Sequence, residues 1–204
     1  MTLSIVILAA GKGTRMNSQL PKVLQPLAGK PILQYVLDTT HSLQPNNISI
    51  VAGHKSEMLR ELIKDKNIAW RIQDTQLGTG HAVIQAIPDL NSDKTLILYG
   101  DVPLIKKADL QSLIKKSDTG LAVMTHIKND ANGYGRILRE DNKIQGIIED
   151  KDCNKEQKKI KEINTGILAA DTKYLKQWLY RLSNENAQKE YYLTDIVKFA
   201  VEDN

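Results

Sequence analysis

The sequence predicts an α/β protein built on a doubly wound, mostly parallel sheet. Three observations carry that prediction. Apolar, β-branched runs of strand length recur without polar alternation, beginning with Leu3–Ala10 (LSIVILAA), as strands covered on both faces do. Segments with helical apolar spacing separate these runs, so strand and helix alternate as far as Thr125. The strands also run into glycine-punctuated loops, where open α/β sheets bind their ligands.

The opening strand leads into Gly11-Lys-Gly-Thr-Arg-Met16 and then Leu20-Pro-Lys22. Gly11 and Gly13 permit a sharp turn and leave backbone N–H groups open to an anion. Lys12, Arg15 and Lys22 add positive charge, which makes this loop a candidate site for a nucleoside triphosphate. It is neither of two common phosphate loops. The third glycine of G-x-G-x-x-G falls on Met16, and no G-x-x-x-x-G-K-[ST] occurs.

Pro31 suits the first turn of a helix carrying Ile32, Leu33, Val36 and Leu37 on one face. Ile48–Gly53 reads as a second buried strand, and Met58, Leu59, Leu62 and Ile63 as the apolar face of a second helix. A third strand over Ile68–Ile72 precedes the loop Gln73–Gly80, in which Thr79 is placed to cap a helix bearing Ala82, Val83, Ala86 and Ile87. Thr95–Tyr99 is the fourth strand and ends in Gly100-Asp101-Val-Pro103. Ala108, Leu110, Leu113 and Ile114 mark the next helix, and Leu121–Thr125 the fifth strand.

Beyond residue 130 the rhythm changes. Tyr134–Arg139 and Lys143–Glu149 flank Asp141-Asn142 as a β-hairpin would, Glu162–Ala170 reads as another strand, and helices follow from about Tyr174 and Tyr192. The loops Gly11–Lys22, Gln73–Gly80 and Gly100-Asp101 all fall at the carboxyl ends of strands and so converge on one crevice.

Within that crevice, Asp101 sits at a sheet rim where a carboxylate suits Mg²⁺, which takes one or two carboxylates with phosphate oxygens and water. Lys22 and Arg15 would neutralise a polyphosphate and the charge that grows during transfer. Gln73 both donates and accepts, as reading one edge of a base requires. Glu149 and Asn164 are placed to hydrogen-bond sugar hydroxyls, and Gly133 and Gly135 around Tyr134 allow a ligand or a bulge close to the backbone.

Composition narrows the alternatives. Net charge is +4, and the one dense basic run, Lys155–Lys161, is interrupted by Glu156 and Gln157. Aromatic content is 5%, whereas single-stranded nucleic-acid binders interleave aromatics with a basic stripe; no nucleic-acid partner is expected. Cys153 is the sole cysteine, which excludes an internal disulfide and fits a reducing cytoplasm. His41, His54, His81 and His126 have no metal-ligand spacing. The first apolar run lacks a basic region before it, and no stretch reaches the length of a membrane span.

Leu8-Ala-Ala-Gly-Lys-Gly-Thr-Arg-Met16 with Leu20-Pro-Lys-Val-Leu24 resembles the signature of sugar-nucleotide pyrophosphorylases. Gln76–Ala82, Tyr99–Leu104, Gly133–Ile137 and Glu162–Ile167 narrow the resemblance to the uridylyltransferase half of the bacterial bifunctional enzymes that make UDP-N-acetylglucosamine. The resemblance covers nearly the whole chain. It implies a Rossmann-like nucleotidyltransferase sheet of the GT-A-like type with a small β-hairpin region, and transfer of UMP from UTP to N-acetylglucosamine 1-phosphate with Mg²⁺ as cofactor. Leu8, Ala9, Ala10, Gly11 and Lys22 would contact the nucleotide, with Gln73, Gly78 and Thr79 at the uracil. Arg15 matches the triphosphate-binding arginine. Tyr99, Gly100, Gly135, Glu149 and Asn164 match sugar-nucleotide contacts, and Asp101 a Mg²⁺ ligand.

Three departures qualify the match. The family's second Mg²⁺ ligand, an Asn in a Gly-Val-Asn-rich segment, would lie past Asn204. The C-terminal acetyltransferase β-helix, through which full-length relatives trimerise, is absent, so residues 1–204 are expected to form one nucleotidyltransferase domain, truncated at its C-terminus. Gln25 stands where the family usually has His. Two alternatives are a transferase for another base or sugar phosphate, and a nucleotide-binding fragment with weak catalysis.

Overall fold

A computed structural model describes residues 1–11, 18, 20–53 and 55–203. Lys12, Gly13, Thr14, Arg15 and His54, on which some of the sequence expectations fall, lie outside the described residues. In chain order the strands are β1 (Leu3–Ala9), β2 (Pro26–Leu27), β3 (Lys30–Pro31), β4 (Asn47–Ala52), β5 (Ile68–Ile72), β6 (Lys94–Tyr99), β7 (Leu121–Ile127), β8 (Arg136–Glu140), β9 (Lys143–Ile148) and β10 (Glu162–Asp171). The α-helices are α1 (Ile32–His41), α2 (Ser56–Leu62), α3 (Thr79–Gln85), α4 (Lys107–Lys116), α5 (Thr172–Arg181) and α6 (Asp195–Glu202).

Eight of these strands form one sheet in the order β5-β4-β1-β6-β10-β8-β9, with β7 on the far side of part of β10. β5, β4, β1 and β6 are parallel, and β1 is buried along its whole length between β4 and β6. Its side chains alternate between two cores. Ile5, Ile7 and Ala9 join α1, α2 and α4 on one face, while Val6 and Leu8 join α3, α5 and α6 on the other. A strand covered on both faces favours apolar side chains throughout, and the one polar residue of β1, the buried Ser4, is satisfied by donating from its hydroxyl to Asn47 Oδ1 at 2.7 Å.

β7 does not extend the parallel set beside β6. β10 lies between them, antiparallel to both, and its register breaks between Asn164 and Leu168. The beginning of β10 then meets β8, through Ile163 opposite Arg136. Apolar periodicity reports that a segment is a strand but not which strand it pairs with. The β8–β9 hairpin is as expected: Asp141 (φ 47°) and Asn142 (φ 65°) both take left-handed backbone, as a type I′ turn requires.

Three local expectations are corrected. Pro31 is the residue before α1, not its first residue. Only Leu59 and Ile63 of the expected α2 face are buried, and Leu62 is 52% exposed, because the helix lies at the rim where β5 ends the sheet. Thr79 is the first residue of α3, and its hydroxyl accepts from the Leu193 N–H at 3.2 Å instead of capping the helix.

Asp89 fastens the β4–β5 edge. Arg71 grips its carboxylate through Nε (2.7 Å) and Nη2, and the Ser49 hydroxyl donates at 2.8 Å. The Arg71 hydrogen bond, with help from Ser49 and against the cost of burial, holds the Asp89 carboxyl below the usual carboxylate range. A depressed folded pKa gives stability that is present above the unfolded value of about 4 and is lost as pH falls through the folded one. Asp89→Asn is therefore expected to lower stability at pH 7 by about 2 kcal/mol. It should also flatten the acid limb of a denaturation curve recorded against pH. A variant that unfolds like wild type at every pH would contradict this.

Candidate functional site

The carboxyl ends of β1, β5 and β6 and the start of α3 enclose a cavity of about 580 Å³. Leu8, Ala9, Ala10 and Gly11 form one wall, and Gln73, Gly78 and Thr79 form the opposite one, with Tyr99, Asp101 and Lys22 between. A Cβ added at Gly11 would meet nothing within 4 Å among the described residues. The Gln76 amide donates to the Ala10 carbonyl and ties the two walls together.

Position 78 admits only glycine. Its φ is +103°, and a Cβ there would lie 2.6 Å from the Tyr191 carbonyl oxygen. The segment that crowds Gly78 returns from the far end of the chain. The Tyr191 N–H donates to the Leu77 carbonyl at 2.7 Å, and the Gly80 N–H to the Tyr191 carbonyl at 2.8 Å. Gln73 is buried, and its amide nitrogen faces the Gly78 carbonyl and His81 Nδ1, each at 3.0 Å. With those two hydrogens engaged, its carbonyl oxygen is the group left to accept from a base.

Lys22 Nζ lies 2.6 Å from Asp101 Oδ2, and both side chains are partly open to the cavity. Gln25, the departure from the family pattern, donates to the Leu20 carbonyl at 3.0 Å and the Ser18 hydroxyl at 2.9 Å, steadying the chain just before Lys22.

A smaller cavity of about 150 Å³ adjoins the first and shares Thr79, Tyr99 and Glu190 with it. Glu149 and Asn164 line it, with Thr194 donating from its hydroxyl to Glu149 Oε1 at 2.9 Å. Burial pushes the Glu149 carboxyl up; the Thr194 hydrogen bond opposes that, and Asp195, Asp152 and Glu190 reinforce it. Tyr99 is the partition between the cavities. Burial first, and then the charges of Glu149 and Asp101, push its phenol up to about 12, so it stays neutral. Gly166 (φ +79°) lies against its ring.

The structure thus brings most of the expected residues together. Leu8 to Gly11, Lys22, Gln73, Gly78, Thr79, Tyr99 and Asp101 share the larger cavity, while Glu149 and Asn164 stand in the smaller one. Gly135 is beside them: a Cβ on it would sit 3.5 Å from Glu149 Oε2 and 3.6 Å from Asn164 Cβ. Gly100 packs beneath the site, against Leu33, Val23 and Ala9, and lines neither cavity. Arg15 is outside the described residues. Sequence reasoning missed Glu190, Tyr192 and Thr194. The run Glu190-Tyr-Tyr-Leu-Thr-Asp195 was the available signal, but it reads simply as the approach to a helix.

Among the described residues no three His, Cys, Asp or Glu side chains gather as a metal cage. Asp101 is a single carboxylate lining the larger cavity, a donor set compatible with Mg²⁺, which takes one or two protein carboxylates and fills most of its shell with water and ligand oxygens. No helix among the described residues is long and apolar enough to cross a membrane.

Comparison with known proteins agrees with this geometry. The chain is 53% identical over 203 residues to the "Bifunctional protein GlmU" of Herminiimonas arsenicoxydans, covering 98% of this chain and 45% of that protein. It is 52% identical over 205 residues to the protein of that name from Acinetobacter baylyi, covering 100% and 45%. The chain thus spans about half the length of the curated relatives it matches. Crystal structures of UDP-glucose pyrophosphorylase share the fold at 18–19% identity. The complex with UDP-glucose has a TM-score of 0.80, covering 100% of this chain and 88% of that one, and the apo form 0.79, covering 99% and 88%. Residues 5–149, which run from β1 to the end of β9 and take in the β1–β6 crevice, match the MobA-like NTP transferase domain, and the chain belongs to that family.

Proposed function

We propose that this chain transfers a uridylyl group from UTP to N-acetylglucosamine 1-phosphate, giving UDP-N-acetylglucosamine and pyrophosphate. One observation carries the reading: the Leu8–Gly11 segment, the Lys22–Asp101 pair and the Gln73–Thr79 wall border one nucleotide-sized cavity that opens beside a pocket bearing Glu149 and Asn164. Relatives of this length of chain and degree of identity support it.

In this reading the base lies between Leu8–Ala10 and Gln73–Thr79, its N3–H directed to the Gln73 carbonyl oxygen. Cytosine presents an acceptor at that position and would be refused. The sugar lies beyond Tyr99, where the Glu149 and Asn164 side chains accept and donate to hydroxyl and acetamido groups.

The attacking group is a phosphate monoester whose second pKa is about 6, so near neutrality it is a dianion and needs no general base. One of its oxygens forms a bond to the α-phosphorus of UTP. The bond from that phosphorus to the α,β-bridging oxygen breaks, and pyrophosphate leaves with the electron pair. Catalysis of this kind is positioning and charge neutralisation. Lys22 balances charge at the α-phosphate, and the Gly11 amide faces the leaving group. By resemblance, Arg15 does the same. Asp101 would hold Mg²⁺, which when bound neutralises and orients phosphate oxygens.

The test is pyrophosphate release from a panel of nucleoside triphosphates against several sugar 1-phosphates. UTP with N-acetylglucosamine 1-phosphate should be the best pair by at least about tenfold. Preference for another base or sugar would replace the substrate assignment, and UTP binding without pyrophosphate release would contradict the transferase reading.

A further inference from the structure

Arg136 is 1% exposed, an unusual place for a guanidinium. Its Nη1 donates to the Tyr134 carbonyl, and its Nη2 lies 3.1 Å from Asp150 Oδ1 without the alignment of a hydrogen bond. Its Nε has no hydrogen-bond partner among the described residues. Burying a charge this way costs free energy, and apolar replacement of such a pair is often neutral or stabilising. Stability alone is a poor reason for it.

Its position supplies a better one. Arg136 stands opposite Ile148 of β9 and Ile163 of β10. The neighbours of this rung are Gly135, Glu149 and Asn164; the last two line the smaller cavity, and Gly135 packs beside them. Side chains alternate across a sheet, so Arg136 lies on the face away from the cavity. From there it holds residue 134, just before β8, and residue 150, just after β9, which brackets Gly135 and Glu149 from both ends. The Asn164 N–H closes the arrangement by donating to the Gly135 carbonyl at 2.9 Å.

We propose that Arg136, with Asp150 as its counterion, is a positioning residue for the sugar side of the site. It touches no substrate. It fixes the backbone that aims Glu149 and keeps Gly135 close. This inference rests on the sugar-binding role proposed for Glu149 and Asn164.

The test compares affinities for UDP and for UDP-N-acetylglucosamine, measured by calorimetry on the whole chain, since their ratio isolates the contribution of the sugar. Arg136→Met keeps the length of the side chain and removes both polar contacts. It is expected to lower the ratio about tenfold while changing UDP affinity less than about twofold, even though leaving Asp150 unpaired lowers the thermal midpoint. Arg136→Lys should fall between Arg136→Met and wild type. In turnover, the KM for the sugar phosphate should rise while that for UTP holds. If Arg136→Met does not fold, Asp150→Asn, which leaves the Tyr134 contact in place, must lower the ratio alone. An unchanged ratio, or equal losses for the two ligands, overturns the proposal. A wild-type chain that does not distinguish the two ligands overturns the sugar assignment itself.

Discussion

Asp101→Ala is expected to reduce pyrophosphate release by about 10²–10³-fold, the usual cost of removing one preorganised charge-stabilising group. Asp101 follows β6 closely, at the rim of the sheet, and pairs there with Lys22. Pairs as open as this one contribute roughly 0–1 kcal/mol to folding. The variant should therefore unfold at nearly the wild-type temperature, so the lost turnover would not reflect a lost fold. The Mg²⁺ concentration needed for half-maximal rate should rise as well. Lys22 loses its partner in the variant, but its own charge still attracts nucleotide, so UTP affinity without metal should be kept or improved. A variant with wild-type rate and wild-type Mg²⁺ response would remove Asp101 from the mechanism.

Gly166→Ala should damage stability and ligand binding together. At φ +79° an L-residue pays about 1–2 kcal/mol. A Cβ there would also run into the Tyr99 ring, meeting Cε2 and coming within 2.9 Å of Cζ. The bend cannot easily give way, because the Gly166 N–H donates to Asn164 Oδ1 at 2.9 Å and the register of β10 breaks at this point. A stability loss of about 3 kcal/mol is expected, and the Tyr99 ring must move into one of the cavities it separates. Affinity for uridine nucleotide and for the sugar nucleotide should therefore fall together, each by about tenfold or more. Gly146→Ala, where a Cβ meets nothing within 4 Å, is the matching control and should bind as wild type. Equal behaviour of the two variants would show that Tyr99 has room to spare.

Much of this architecture was legible in the sequence because the signals were local. Mostly apolar runs of strand length identified β1, β4 and β6, Asp141-Asn142 identified the hairpin, and loops at strand ends gathered Gly11, Gln73, Gly78 and Asp101 into one crevice. What escaped depends on contacts between distant parts of the chain. Nothing near Glu162 announces that β10 will separate β6 from β7. Nothing near Tyr191 announces that its backbone will pair with Leu77 and Gly80 and so bring Glu190 and Thr194 to the site. Thr79 shows the same limit at one residue: its sequence position suits a cap, yet a segment more than a hundred residues away takes the hydroxyl.

The measurement that bears most directly on the account is a crystal structure of the chain soaked with UTP and Mg²⁺. The uracil should lie against Gln73 and Gly78–Thr79, the triphosphate along Ala10–Gly11 and Lys22, and the metal on Asp101. Nucleotide bound elsewhere, or a cavity left to water at saturating UTP, would contradict it.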